Sequence, residues 1–503
     1  MNRRRFLRDT LLGTLAAATL PRLALAGSAD NGRAAAFARG LRAEPWLIGW
    51  RNAARSVFEP TGAKLEGRLP KGLRGVLYRN GPAWFERAGF RYQHWFDGDG
   101  MVHAWRLDDA GVSHRARMVE TPKFQREHAA GRFLLPAVGT TVPDAIAARN
   151  NDDMNTANTA VIEHAGRLLA LWEGGSATEL DAVDLKTRGP VSWREDLTAA
   201  PFSAHPLLER DGSLWNIGGM AMIGANAVLV WNIGADGVLR KSAVVDDSGP
   251  GYVHSFAMTE RHLIVMLEPY TQGGEGQSMF ERMQYDPRAP CRIAVIPKDA
   301  LDQPRWFEVE SAAVYHWADA TEHDGIIDAR AVRHHDLVQA RAPLAGAMRG
   351  VRDPQGAATE LVSLRIDLKN NTAQWIGRGH RGGEFPVFDP RSTRLQRGRI
   401  YLSVSAGRSR APYPNAIAAI DEDGRTRVHR FGSDVMVEEH RFVPRPGGSK
   451  LDDGWLVGTV LDVDKQRTGL SVLDASRLED GPLAMAWLPL AMPLGFHGWF
   501  SQT

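Results

Sequence analysis

The sequence contains a single cysteine, Cys291, among 503 residues. An intramolecular disulfide is excluded, and so is a thiolate-rich metal site. Any metal must therefore be held by histidine and carboxylate. Neither sign of charge is in excess: 61 basic residues face 59 acidic ones, a net charge of +2. This balance gives no footprint for nucleic acid or for a strongly acidic partner. Beyond the N-terminal segment no apolar run is long enough to span a bilayer. Helical periodicity is scarce, self-similarity at a period of roughly 40 residues is lacking, and no low-complexity linker cuts the chain.

The N-terminal segment has its own pattern. Arg3, Arg4, Arg5, Phe6, Leu7 and Arg8 match a twin-arginine export motif. An apolar stretch from Leu11 to Leu20 follows, and Ala24-Leu25-Ala26 forms a small-x-small cleavage site before Gly27. The reading is a signal peptide over 1–26, a single mature domain over 27–503 and a periplasmic location reached in the folded state.

From Trp46 onward the chain reads as short strands punctuated by turns. Asp-Gly or Asp-x-Gly signals recur at Asp109–Gly111, Asp211-Gly212, Asp236-Gly237, Asp423-Gly424 and Asp453-Gly454. They sit between β-prone runs such as Leu214–Ile217, Ala227–Ile233 and Trp455–Val463, which is hairpin chemistry. Turns spread along the whole chain favour a closed or radial all-β architecture over α/β. Two stretches break the pattern. Arg126–Arg149 is expected as a helix or a long loop over one end, and the Ala-rich stretch Asp336–Arg349 as an insertion.

Sixteen histidines are present, and no short metal motif links any four of them. Four share a local setting of small or aromatic neighbours. They are His205 before Pro206, His254 in Tyr252-Val253-His254-Ser255, His316 in Val314-Tyr315-His316-Trp317, and His497 in Gly495-Phe496-His497-Gly498. His334 and His335 lie in a charged run that reads as surface.

The longer motifs carry more information. Arg79-Asn80-Gly81-Pro82 is followed by His94-Trp95-Phe96-Asp97-Gly98-Asp99-Gly100-Met101-Val102-His103. Then come Ala204-His205-Pro206, Tyr252-Val253-His254, Glu384-Phe385-Pro386, Phe442-Val443-Pro444-Arg445-Pro446 and Gly495-Phe496-His497-Gly498. In this order, over essentially the whole mature chain, they resemble the carotenoid cleavage oxygenases. The resemblance implies a seven-bladed β-propeller with a cap of loops and short helices over the metal-bearing face. It implies one Fe(II) per chain on His205, His254, His316 and His497, with two coordination sites left for O2 and water or substrate. It also implies three carboxylates that accept from the histidines: Glu173 for His254, Glu384 for His316 and Glu439 for His497.

Some positions depart from the family pattern. Asp319-Ala320-Thr321 follows the third histidine where an Asn-Ala-Tyr-like run is usual, with His323 nearby. His440 stands where a Pro usually follows Glu439, and Glu438 is adjacent. Stilbene-cleaving members carry a Lys before the first carboxylate, where this chain has Trp172. A Thr at the position of Thr159 lies near the open iron sites in the bacterial apocarotenoid branch. The implied activity is oxidative cleavage of one C=C bond of a carotenoid or apocarotenoid to two carbonyl products. The implied partners are O2, an apolar substrate and a peripheral membrane contact for substrate uptake. The alternatives are hydroxystilbene cleavage, ester cleavage with isomerisation, and a non-catalytic binder of apolar ligands.

Overall fold

The computed structural model describes residues 31–220, 225–245, 251–275, 278–335, 344–352, 358–377, 379–392 and 397–502. The export motif and most of the expected Ala-rich insertion lie outside them. Each Asp-Gly signal joins consecutive antiparallel strands. Asp211-Gly212 links Leu207–Leu208 to Leu214–Gly219, and Asp423-Gly424 links Ala416–Ile420 to Thr426–Arg430. Gly212 and Gly424 have φ of 80° and 83°, values that favour glycine.

The strands assemble into seven sheets of four or five strands each, the blades of a propeller. Gly111–Met118 shows the alternating burial of a strand with one wet face. Gly454–Asp462 is buried at every position, because neighbouring blades cover both of its faces. The innermost strands are Ala160–His164, Leu207–Leu208, Ala257–Met258, Ala313–His323, Glu384–Val387, Val435–Pro444 and Gly498–Gln502. From Ala257–Met258 onward they touch in sequence around a central axis, and Gly498–Gln502 then meets Ala160–His164.

Two pairings close the ring. Gly498–Gln502 adds to Gly75–Trp84 in the first blade, with Arg79 opposite Gly498 and Gly75 opposite Gln502. Lys64–Gly67 adds to Pro482–Trp487 in the last blade. Lys64–Gly67 and Gly498–Gln502 thus lock the first and last blades together across one junction.

The stretch 126–149, expected as a helix or a long loop, holds the end of a helix and then loop. The helix is Pro122–Ala130, with Thr121 as N-cap accepting from Phe124 N and Gly131 ending it at φ 65°. A loop follows the helix. A fully buried ion cluster holds this cap of helix and loop to the first blade. Lys123 Nζ lies 2.6 Å from Glu127, 2.9 Å from the Tyr92 hydroxyl and 3.3 Å from Asp99. Arg87 satisfies the other Asp99 oxygen at 2.5 Å, and Glu127 accepts the backbone N–H of Leu134 and Leu135. Burial alone would lower the Lys123 pKa, but Asp99, Tyr92 and Glu127 hold it well above the usual lysine value. Cys291 is buried, donates its S–H to Ala312 O at 3.2 Å, and has its thiol pushed up to about 12, chiefly by burial.

Removing one member of a buried ion cluster strands the others. Lys123→Met is therefore expected to lower unfolding free energy by about 3–5 kcal/mol, read as a fall in the denaturant midpoint. An unchanged midpoint would show that the cluster does not hold the cap.

Candidate metal centre

The four motif histidines come from the same end of four innermost strands. His205, His254 and His497 lie just before Leu207–Leu208, Ala257–Met258 and Gly498–Gln502, and His316 lies inside Ala313–His323. The ligand atoms of His205, His254 and His316 all fall within 4.8 Å of one another. His497 joins the group through His316, with the two Nε2 atoms 3.2 Å apart. The Nε2 atoms of His205 and His254 are 2.9 Å apart.

Three carboxylates set the direction of the rings. His254 Nδ1 lies 2.5 Å from Glu173, His316 Nδ1 2.6 Å from Glu384 and His497 Nδ1 3.0 Å from Glu439. A carboxylate only accepts, so each Nδ1 carries the proton and each Nε2 presents a lone pair to the axis. Among the described residues no carboxylate accepts from His205. Burial drives the His205 pKa well below its usual value, with further lowering from His254, His497 and His316. Burial also lowers His497 to about 4, against the opposing pull of Glu439. Burial would raise Glu384 and Glu439. Instead Glu384 is held below the carboxylate range by His316 and His334, and Glu439 by Arg441 and His497.

This donor set fits a divalent first-row metal. As neutral rings, His316 and His497 aim two bare acceptors at each other across 3.2 Å, an arrangement that needs a cation between them. An ion bound at about 2.1 Å sets neighbouring ligand nitrogens about 3 Å apart. Four imidazoles without thiolate suit iron among such ions.

Irregular backbone creates this aim. The register of Ala313–His323 shifts between Val314 and Trp317, around His316. That of Val435–Pro444 shifts between Val437 and His440, so adjacent Glu438 and Glu439 both serve the axis. Glu438 accepts from Arg79, Thr459 and Gly495 N, while Glu439 accepts from His497 and Gly498 N. The two therefore clamp the loop on either side of His497. Phe385, between Glu384 and Val387, has φ 58° and stacks on His316 at 5.4 Å. A non-glycine residue held in this region is strained, and such strain gathers at functional sites.

A cavity of about 400 Å³ opens beside His254, His316 and His497. Trp95, Phe96, Trp172, Phe280, Tyr413 and Phe496 supply apolar walls. Thr159 also lines it, its hydroxyl donated to Asn158 Oδ1 at 3.0 Å and its carbonyl accepting from His497 N at 3.2 Å. His323 is exposed, away from the cluster. The surface reading of His334 is overturned. It is buried, lines the cavity and lies 2.6 Å from Glu384 through Nε2.

Two further residues serve the site although the sequence marked them only as motif members. Tyr252 donates its hydroxyl to Glu173 at 2.9 Å, and Arg79 reaches Glu438 at 3.1 Å and Glu439 at 3.4 Å. The signal for each lay in its motif, beside His254 and in Arg79-Asn80-Gly81-Pro82.

A profile of the family described as retinal pigment epithelial membrane protein matches residues 52–502. The chain belongs to this family, the carotenoid cleavage oxygenases. The chain is 29% identical to the apocarotenoid-15,15'-oxygenase of Synechocystis, over 92% of this chain and 98% of that protein. It is 27% identical to carotenoid 9,10(9',10')-cleavage dioxygenase 1 of Pisum sativum, over 90% and 89%. It is 26% identical to isoeugenol monooxygenase of Pseudomonas nitroreducens, over 92% and 99%. A solved structure of cobalt-substituted Synechocystis apocarotenoid oxygenase superposes with a TM-score of 0.81 at 26% identity, covering 91% of this chain and 98% of that one. This carotenoid cleavage oxygenase is thus similar to its relatives from the first blade to the closing strand.

Replacing His254 by Ala is expected to abolish bound metal, whereas His323→Ala should leave it unchanged. Glu173→Gln and Glu384→Gln should keep the fold and lose about 10–100-fold in metal affinity or activity. Metal analysis of the purified variants checks this, and full occupancy in His254→Ala would refute the assignment.

Proposed function

We propose that the protein is an Fe(II)-dependent dioxygenase that cleaves one C=C bond of an apocarotenoid to two carbonyl products, with one iron per chain. The observation that carries this is the convergence of four imidazole Nε2 atoms at the end of an apolar cavity. Ferrous iron on His205, His254, His316 and His497 would supply O2 activation and its addition across the double bond.

The remaining work belongs to the chain itself. Glu173, Glu384 and Glu439 hold the Nδ1 protons of His254, His316 and His497, so each Nε2 stays a donor to the metal. They also balance charge that neutral ligands leave uncompensated. The aromatic walls pack along a polyene and exclude water from the reacting bond. The cavity volume of about 400 Å³ falls within the ~300–1,000 Å³ of small-molecule sites. No side chain is required as nucleophile or general base.

The lining favours a polyene over a hydroxystilbene. Trp172 is 5% exposed and forms part of the wall. Among the described residues that line the cavity there is no Lys or Arg. A buried phenolate would have no Lys or Arg to stabilise it, while a polyene gains roughly 25 cal/mol per Å² of apolar surface buried. Such a substrate partitions into membranes, and uptake from a membrane surface is part of this reading. No described helix is long and apolar enough to cross one.

On one iron-loaded preparation, kcat/KM is expected to be higher for a long apocarotenal than for a 4-hydroxystilbene, measured by product analysis. Efficient stilbene cleavage with the apocarotenal untouched would reverse the substrate assignment and leave the metal assignment standing.

The twin-arginine motif supports export of the folded, metal-loaded protein to the periplasm. Changing Arg3 and Arg4 to Lys should retain the chain in the cytoplasm with its leader uncut, as judged by fractionation. Normal periplasmic appearance of that variant would exclude the twin-arginine route.

A further inference from the structure

His334 is a buried histidine on the wall of the cavity for which the family motifs gave no role. It ends the strand Ile326–His334, paired with Ala313 at the start of the strand that carries His316. Its Nε2 lies 2.6 Å from Glu384 Oε1, while His316 Nδ1 lies 2.6 Å from Glu384 Oε2. One carboxylate therefore sits between two imidazoles. Because the carboxylate cannot donate, Nε2 of His334 carries the proton. The opposite nitrogen, Nδ1, is buried and has no hydrogen-bond partner.

A histidine kept only to fill space would not leave one ring nitrogen unsatisfied, since an unpaired buried acceptor is costly. The contact with Glu384 is what this ring provides. Tyr315, next to His316, meets the His334 ring edge-on at 5.2 Å and limits its rotation. Phe385 N donates to the same Glu384 oxygen as His316, at 2.7 Å. With His334 in place both carboxylate oxygens are engaged and the group cannot turn.

The other two carboxylates are held in the same way by different chemistry. Tyr252 O–H engages the second oxygen of Glu173. Gly498 N–H and the Arg79 guanidinium engage the second oxygen of Glu439. A donor on the far oxygen is thus common to all three arms, and His334 fills that place in the third.

We propose that His334 is a positioning residue for the His316 arm. By donating to the far oxygen of Glu384 it fixes the carboxylate, and through it the tautomer and direction of His316. This rests on the metal reading given above.

The test uses full-length protein with Phe or Gln at position 334. Phe fills the volume without a donor, and Gln keeps an N–H within reach of Glu384. Metal affinity is measured by Co(II) titration, with the visible cobalt bands as the signature of ligand geometry and circular dichroism as the control for fold. H334F is expected to fold, to bind cobalt about tenfold more weakly and to show altered bands. H334Q should restore both affinity and bands. H334F combined with E384Q should bind no more weakly than E384Q alone, because coupled partners are not additive. Wild-type affinity and bands in H334F, equal behaviour of H334F and H334Q, or losses that add with E384Q would overturn the proposal. A wild-type chain that binds no metal would overturn the metal reading itself, a result distinct from these.

Discussion

Ring closure is the constraint on which the rest of the structure depends. Gly498–Gln502 has to reach the first blade and pair with Gly75–Trp84. That pairing fixes His497, the residue just before the strand, and it sets Gly498 opposite Arg79. From there Arg79 extends to Glu438 and Glu439 in the last blade. The contact that removes the open edge of the propeller is also the contact that completes the histidine cluster. Side chains 360 residues apart, Arg79 and Glu439, meet for this reason.

Electrostatic balance at the axis follows from that geometry. Four imidazoles carry no charge to offset a divalent ion, and burial would raise the pKa of Glu384 and Glu439. The chain answers with donors on both oxygens of each outer carboxylate, and Glu384 and Glu439 are held below the carboxylate range despite their burial. Arg79 and Arg441 are cations close to the centre, and both face Glu439. The three arms are therefore alike in geometry and unlike in charge. One carboxylate is supported by a phenol, one by an imidazole and one by guanidinium groups.

The all-β class and the hairpin positions were legible in the sequence, because Asp-Gly turns between β-prone runs have a local cause. The blade number and the identity of the four histidines were legible only through the ordered motifs. Nothing in their spacing announces that four strand ends converge. The register shifts at His316 and at Glu438–Glu439 have no local signal, since a bulge is decided by the partner strand. His334 shows the same limit. Its neighbours Arg333 and His335 suggested surface, but successive strand residues face opposite sides. Arg333 does turn away, to pair with Glu360, while His334 turns inward. The stretch 126–149, read as a helix or a long loop, divides between the two: its first residues end a helix and the rest is loop. Only the capped turn starting at Thr121 has a helix-forming reason, and the rest is pinned as loop by Glu127.

The lone thiol has a wider consequence. Cys291 lies in the core with its proton held by burial, so it is a poor nucleophile and has no partner with which to cross-link. Every contact that maintains the propeller and its histidine cluster is non-covalent and indifferent to redox potential. The folded chain needs no oxidant to mature and loses nothing to a reductant. It keeps the same covalent structure under reducing and oxidising conditions alike.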